Sequence, residues 1–136
     1  MPRVRRQAAV IPYRIRKARV EVALVTTSRG KGWIVPKVSI AEGERPRDAA
    51  IREAEEEAGL KGVVGRRRMG RYRHENCDGT CLVDVYLMRV TRVLDEWDED
   101  DLRRRRWLPV EDAAARLRSK LQQFVQSLDR TVGAHR

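Results

Sequence analysis

The sequence predicts an α/β fold in a single domain, residues 1–136. Three observations agree with that reading. The length of 136 residues matches one domain of roughly 100–200 residues. Segments of strand pattern alternate with two helical segments. Hydrophobic residues at 41% and charged residues at 37% supply one core under an ionic surface, which argues against intrinsic disorder.

Taken in order, residues 7–13 (QAAVIPY) and 19–26 (RVEVALVT) are β-rich and read as a hairpin joined by a basic connection. The Gly30-Lys31-Gly32 turn leads to a short strand from Trp33 to Val35, ended by Pro36. Val38 to Arg45 reads as loop. Pro46 suits the first turn of a helix, Asp48 favours its positive end, and DAAIREAEEEA meets no breaker before Gly59, a natural residue just past a helix C-terminus. Strands return at 62–73 and 81–94 around a loop with Asn76, Asp78 and Gly79, which carry turn chemistry. Val83, Val85 and Leu87 alternate with Asp84, Tyr86 and Met88, as a sheet strand requires. Arg106 to Leu108 is a further short strand closed by Pro109. A helix over 111–130 presents Ala114, Leu117, Leu121, Phe124 and Leu128 as one apolar stripe.

Thirty Lys and Arg against twenty Asp and Glu leave a net charge of +10, a field that calls for an anionic partner. The charges are bunched. Residues 1–20 hold seven basic residues and no acid, Arg66, Arg67, Arg68, Arg71 and Arg73 form a second group, and Arg103 to Arg106 a third. Residues 95–101, DEWDEDD, put six carboxylates in seven positions. Such acidic blocks repel phosphate, so a plain nucleic-acid-binding module gains nothing from them, whereas an enzyme gripping polyphosphate through metal ions needs both signs. The two classes in play are a metal-dependent phosphate enzyme and a basic RNA- or DNA-binding domain. No apolar run approaches the eighteen or so residues of a membrane span. The Arg-rich, acid-poor N-terminus is like a transit peptide, but it is Ser-poor and runs straight into strand pattern; no secretory signal follows it. The expected location is cytoplasmic. Cys77 and Cys81 are too few for a disulfide framework and read as ordinary thiols. With His74 they offer three zinc donors at a spacing that fits no common zinc motif.

On the helix from Pro46 to Ala58, Glu53, Glu56 and Glu57 are related by i, i+3 and i+4, so their carboxylates converge on one face. Ala50, Ala54 and Ala58 form a stripe of small side chains that lets the backbone press against its support. Taken alone, the glutamates leave two readings open, a chemical site or a solvated helix face, since like-charge neighbours cost only about 0.2–0.5 kcal/mol per pair.

Residues 38–60 match the box of the Nudix hydrolases: Gly, any five, Glu, any seven, Arg-Glu, aliphatic, any, Glu-Glu, any, Gly, aliphatic. Glu44, Arg52, Glu53, Ala54, Glu56, Glu57, Gly59 and Leu60 fall in step, eight of nine positions, and Val38 stands where the pattern has Gly. The chain resembles that family. The resemblance implies a Nudix fold, an α/β/α sandwich with a mixed β-sheet, the box helix on one side and the C-terminal helix on the other. It also implies Mg2+, with Mn2+ as substitute, held by Glu53, Glu56 and Glu57. Glu56 either ligates or takes the proton of the attacking water. Arg52 holds the carboxylates in place and Glu44 steadies the loop onto the helix. The implied reaction is attack of water on a phosphorus of a phosphoanhydride. Val38 puts the loop geometry in question, because Gly permits conformations closed to β-branched Val.

Outside the box, VTTSRGKGWIVPK, GLKGVVGR, VYLMRVTRVLDEWDEDD and RRRRWLPVEDA resemble the diphosphoinositol polyphosphate phosphohydrolases, a branch that also cleaves diadenosine polyphosphates. That resemblance implies a highly anionic metabolite as substrate; the residues themselves lead to no expectation of a membrane or an obligate protein partner. Thr27, Ser28 and Arg29 become candidates for phosphate contact, with Arg6, Lys37 and one or more of Arg103 to Arg106 behind them. Trp33 either stacks on a base or fills the core, and its place between a Gly turn and Pro36 favours packing. Trp97 is a candidate to close over substrate, and Glu75, Glu96 or Glu99 a candidate extra metal ligand. The rivals are an RNA 5′ pyrophosphohydrolase and a catalytically idle Nudix-like domain that binds RNA. Three intact box glutamates argue against idleness, and three Trp, three Tyr and one Phe limit base stacking.

Overall fold

The first hairpin is longer than the hydrophobic pattern predicts. In the computed structural model, which describes residues 3–76 and 79–133, β1 (Arg3–Arg16) runs through the basic connection and pairs with β2 (Arg19–Thr26) as far as Arg16 opposite Arg19. The turn shrinks to Lys17 and Ala18, at φ 51° and 64°. Two consecutive left-handed residues give the two-residue turn whose twist suits a hairpin. Arg14 is held opposite Glu21 by an ion pair of 2.8 Å, so the cationic run is carried on paired strand.

Beyond Tyr13 opposite Val22 the two strands part. β3 (Trp33–Ile34) pairs with β2, and β4 (Lys37–Ser39) pairs with β1. The expected loop from Val38 therefore begins with a strand, flanked by bonds from Val10 N–H to Pro36 O and from Ile40 N–H to Arg6 O, each 3.0 Å. A β-branched residue suits extended backbone. Val38 packs partly buried against the core beneath α1 and is not among the residues of positive φ, so this loop does not need glycine's freedom there.

The single strand expected over 62–73 is two strands on one edge of β7 (Gly79–Val93). β5 (Leu60–Val64) pairs with the end of β7 and β6 (Gly70–Asn76) with its beginning. Residues 65–69 leave the ladder between them, carrying Arg66, Arg67 and Arg68. Of the loop assigned at 76–79, Cys77 and Asp78 lie outside the described residues. β1 runs parallel to β7 from Arg3 opposite Gly79 to Tyr13 opposite Arg89. All other pairs are antiparallel, which makes the sheet mixed, and β8 (Arg105–Pro109) completes it on β2.

Strand alternation sorts the core onto two faces. Ala9, Ile11, Val22, Leu24, Val83 and Val85 pack with Ala113, Ala114, Leu117, Val125 and Leu128. Ala8, Val10, Ala23, Val25, Tyr86 and Met88 pack with Ala49, Ala50, Ala54 and Ala58 of α1 (Pro46–Ala58). A sheet buried on both faces between helices is the sandwich expected. The C-terminal helix is a correction. It divides into α2 (Val110–Ala115), α3 (Ser119–Gln126) and α4 (Leu128–Gly133). The apolar stripe still faces the sheet. No Gly or Pro marks the breaks; past α2 the Ala114 carbonyl accepts both the Leu117 N–H at 3.1 Å and the Gln122 amide at 2.9 Å. Among the described residues no helix is long and apolar enough to cross a membrane.

Candidate active site

Pro46 opens α1 and Asp48 lies in its first turn, as the sequence predicts. Ala49, Ala50, Ala54 and Ala58 are fully buried, so the helix backbone lies close against the sheet. Side chains flanking that stripe are carried inward with it. Glu57 is 2% exposed and Glu53 6%, which excludes the solvated helix face for these two. Glu56, one step around the helix, has a side chain 40% exposed.

Arg52 organises the outer side of the glutamates. Its guanidinium clasps Glu44 with two bonds, 2.9 and 3.0 Å, and reaches Glu56 at 3.4 Å and Glu53 at 3.6 Å. Glu44 also accepts the Ala41 N–H at 3.1 Å, so one carboxylate closes its own loop and ties it to α1. The Arg52 bonds, aided by that N–H, hold the Glu44 carboxyl below the usual carboxylate range.

Glu57 is the electrostatic centre. Burial, the adjacent Glu53 carboxyl and, to a lesser degree, Glu99 push its pKa up to about 9, against the opposing pull of Arg103. Arg103 Nη1 stands 3.3 Å from Glu57 Oε1, close enough for attraction but not aligned as a hydrogen bond, and that oxygen is buried without a hydrogen-bond partner. Glu53 and Glu57 meet, while Glu56 is drawn to Arg52. The convergence of all three carboxylates is thus only partial, and among the described residues no three acidic, His or Cys side chains form a ready metal cage. The donor chemistry nonetheless fits a hard divalent cation. Two carboxylates pressed together in a buried place, one oxygen of them without a hydrogen bond, are stabilised by nearby positive charge.

The acidic segment and β8 secure the C-terminus of α1, whose last carbonyls lack helical partners. The Gly59 N–H closes the last helical bond on Glu55 O at 2.9 Å; beyond it Glu56 O accepts from Glu99 N–H at 3.1 Å, Glu57 O from the Trp97 indole at 3.0 Å, and Ala58 O from Arg105 at 2.7 Å. Arg105 also lies 4.3 Å over the Trp97 ring. Gly59 is left-handed at φ 65°, and a Cβ there meets Trp97 at 2.8 Å and Arg105 at 2.9 Å. The glycine is required twice over, for conformation and for approach.

The structure divides the remaining candidates. Thr27 accepts the Lys31 N–H on its hydroxyl at 3.2 Å and shapes the turn, leaving Ser28 and Arg29 exposed. That turn follows Thr26, whose carbonyl receives Arg103 at 2.9 Å, so it borders the Glu57 end of α1. Lys37 is paired opposite Ala9, a residue of the face away from α1, and is not brought to the glutamates. Arg6 is engaged with Asp84 at 2.9 Å. Arg103 and Arg105 turn inward, and Arg104 and Arg106 remain exposed. Trp97 anchors the helix rather than lying over an opening. Of the extra acidic candidates, Glu99 stands beside the site, bonded to Arg103 at 2.8 Å, whereas Glu75 holds Thr80 at the far end of β6 and Glu96 is exposed. Cys81 is buried in the core, which leaves no exposed thiol there for zinc, and Cys77 is outside the described residues. Trp33 packs against the same core.

Sequence reasoning missed the inward role of Arg103 and Arg105. Alternation along 103–106 is the signal that separates them from their neighbours. A cavity of about 740 Å³ opens between the sheet and α3, lined by Tyr13, Met69, Leu87 and Phe124 with Arg67 and Arg89. None of the candidate site residues lines it.

Comparison with known proteins bears on the family and the fold. The family model described as the NUDIX domain matches residues 4–128. Diphosphoinositol polyphosphate phosphohydrolase 3-beta of Bos taurus is 42% identical over 96 residues, 68% of this chain and 57% of that protein. Diphosphoinositol polyphosphate phosphohydrolase 2 of Mus musculus is 44% identical over 97 residues, 68% of this chain and 52% of that protein. The chain spans about half the length of the curated relatives it matches. Among solved structures, the C. elegans Ap4A hydrolase has TM-score 0.79 at 20% identity, covering 96% of this chain and 99% of that one. The NUDIX domain of Shewanella oneidensis NrtR, complexed with ADP ribose, has TM-score 0.76 at 15% identity, covering 96% and 90%. Both structures share the fold.

Proposed function

Because the chain belongs to the Nudix family, we propose that it is a pyrophosphohydrolase that cleaves a phosphoanhydride bond of a highly anionic metabolite with the help of Mg2+. The substrate class is a diphosphoinositol polyphosphate or a diadenosine polyphosphate, in line with the names of its relatives and with a net charge of +10. The observation that carries the reading is the buried Glu57 pressed against Glu53, with an oxygen that no hydrogen bond satisfies. Glu53 and Glu57 are the residues to hold the ion, with Glu56 beside them to ligate it or to serve as the base.

A divalent ion bound there supplies positive charge to the attacked and departing phosphates. The side chains do the rest. Glu56 is the carboxylate that water reaches, and it takes the proton as the water oxygen bonds to phosphorus and the anhydride P–O bond breaks, its electron pair leaving with the departing phosphate. Arg52 restrains Glu56 while fastening Glu44 and the loop. Ser28 and Arg29, exposed on the turn beside this end of α1, contact substrate phosphate.

Glu57→Gln tests the reading. It should abolish hydrolysis and divalent-ion binding by calorimetry while leaving the ion-free melting temperature near neutral pH about equal, since the amide resembles the protonated carboxyl that burial and Glu53 favour there. Retained turnover across diphosphoinositol phosphates, diadenosine polyphosphates and triphosphorylated RNA, or unchanged ion affinity, refutes it.

A further inference from the structure

The other end of α1 carries a second concentration of charge, of opposite sign. Asp84 on β7 has a side chain 2% exposed and is surrounded by guanidiniums from three elements. Arg71 on β6, directly opposite in register, bonds Oδ1 at 2.6 Å. Arg6 on β1 bonds Oδ2 at 2.9 Å, and Arg68, on the excursion between β5 and β6, stands 3.8 Å from Oδ1. Arg47, in the first turn of α1, donates to Val64 O at 2.8 Å and Gly65 O at 3.2 Å. Tyr86 lies two residues from Asp84 on the same face and is 7% exposed. Its hydroxyl takes part in none of the hydrogen bonds that hold the cluster.

Satisfying one buried carboxylate explains one or two of these arginines. It does not explain three, with a fourth close by. Both oxygens of Asp84 are used, each arginine spends a fraction of its five donors, and Arg6, Arg68 and Arg71 keep side chains 50%, 46% and 35% exposed. Three guanidiniums against one carboxylate leave an excess of two positive charges, and the positive end of α1 adds to their field. Planar forks that stay partly exposed with donors to spare, two of them bonded to a buried anion, match the oxygens of a phosphate.

This cluster is separate from the glutamates. Arg47 and Glu56 are nine residues apart, so at 3.6 residues per turn they project from opposite sides of α1 and about 13 Å apart along it. We propose that Arg6, Arg68 and Arg71, braced by Asp84 and flanked by Arg47 and Tyr86, form a second anion site for a compact polyphosphate that is bound without being cleaved. The site takes either a free polyphosphate metabolite or the polyphosphate portion of a larger small molecule. Both oxygens of its one buried carboxylate, Asp84, are taken by arginines, so it binds in the absence of divalent ions.

The test is calorimetric titration of the full chain with inorganic tripolyphosphate in excess chelator. One saturable site is expected. Arg68→Gln removes the most distant guanidinium and leaves the two short Asp84 bonds in place, so it keeps the fold, and it should weaken binding about tenfold. Arg6→Gln should do the same. Arg130→Gln, an equal change of charge on α4, and Glu57→Gln, at the acidic end, should leave the affinity unchanged. The proposal is overturned if no saturable binding occurs at millimolar tripolyphosphate, if Arg130→Gln weakens it as much as Arg68→Gln, or if Glu57→Gln removes it. A single-stranded oligonucleotide of matched charge that binds through the same arginines more tightly than tripolyphosphate overturns the assignment to a compact anion. Because the titration requires neither hydrolysis nor a divalent ion, its outcome is independent of the activity proposed for the glutamates.

Discussion

Glu57 and Asp84 are both buried carboxylates on the α1 side of the sheet, yet their protonation is driven in opposite directions. Burial and the neighbouring Glu53 raise Glu57 to about 9. Burial also raises Asp84, but the bonds from Arg71 and Arg6 outweigh it and hold the carboxyl below its ordinary value. A carboxyl depressed in the folded state contributes stability above its unfolded pKa and loses it as pH falls through the folded value. Acid melts should therefore show a loss below about pH 4 that Asp84→Asn flattens; an unaltered acid limb in the variant refutes the coupling. Arg103 is the second residue-level case. It joins Glu57, Glu99 and Thr26 O, and Arg103→Gln should cost about 1–3 kcal/mol by chemical denaturation. Neither partnership was legible in the chain, where charge runs give no sign of which members turn inward.

At the scale of elements, α1 was legible nearly to the residue, because Pro46, the Ala stripe and Gly59 each act within one or two helical turns. What the sequence left open was the manner in which its C-terminus is held. Trp97→Phe puts a smaller aromatic ring in place of the indole and removes the donor to Glu57 O, and should lower stability by at least about 1 kcal/mol. Gly59→Ala should cost more than the roughly 1–2 kcal/mol of left-handed strain alone, since the methyl meets Trp97 and Arg105. Thermal melts check both, and a neutral Gly59→Ala contradicts the close approach. The C-terminal helix shows the limit of periodicity. Its stripe was read correctly and its continuity was not, because the breaks come from packing on the sheet rather than from any breaker residue.

Across the whole molecule, charge of both signs is sorted to the two ends and sides of one helix under a positive net field. Attraction of a polyanion to exposed arginines is screened by salt. The Michaelis constant for a polyphosphate substrate should therefore rise several-fold between about 50 and 200 mM salt, with a smaller change in turnover number. A constant that ignores ionic strength speaks against long-range attraction.

By itself the sequence determined the family, the box helix with its caps, the register of its glutamates and the two-faced alternation of the central strands. Each of these rests on spacings of a few residues, where helix and strand periods act directly. The tertiary structure alone decided which arginines face inward, where β4 lies, and how the C-terminal helix breaks. It also decided that Arg6 meets Asp84, 78 residues away, and that Arg105 meets Ala58, 47 residues away. Such pairings depend on how strands are ordered and paired across the sheet, and no local period records that order.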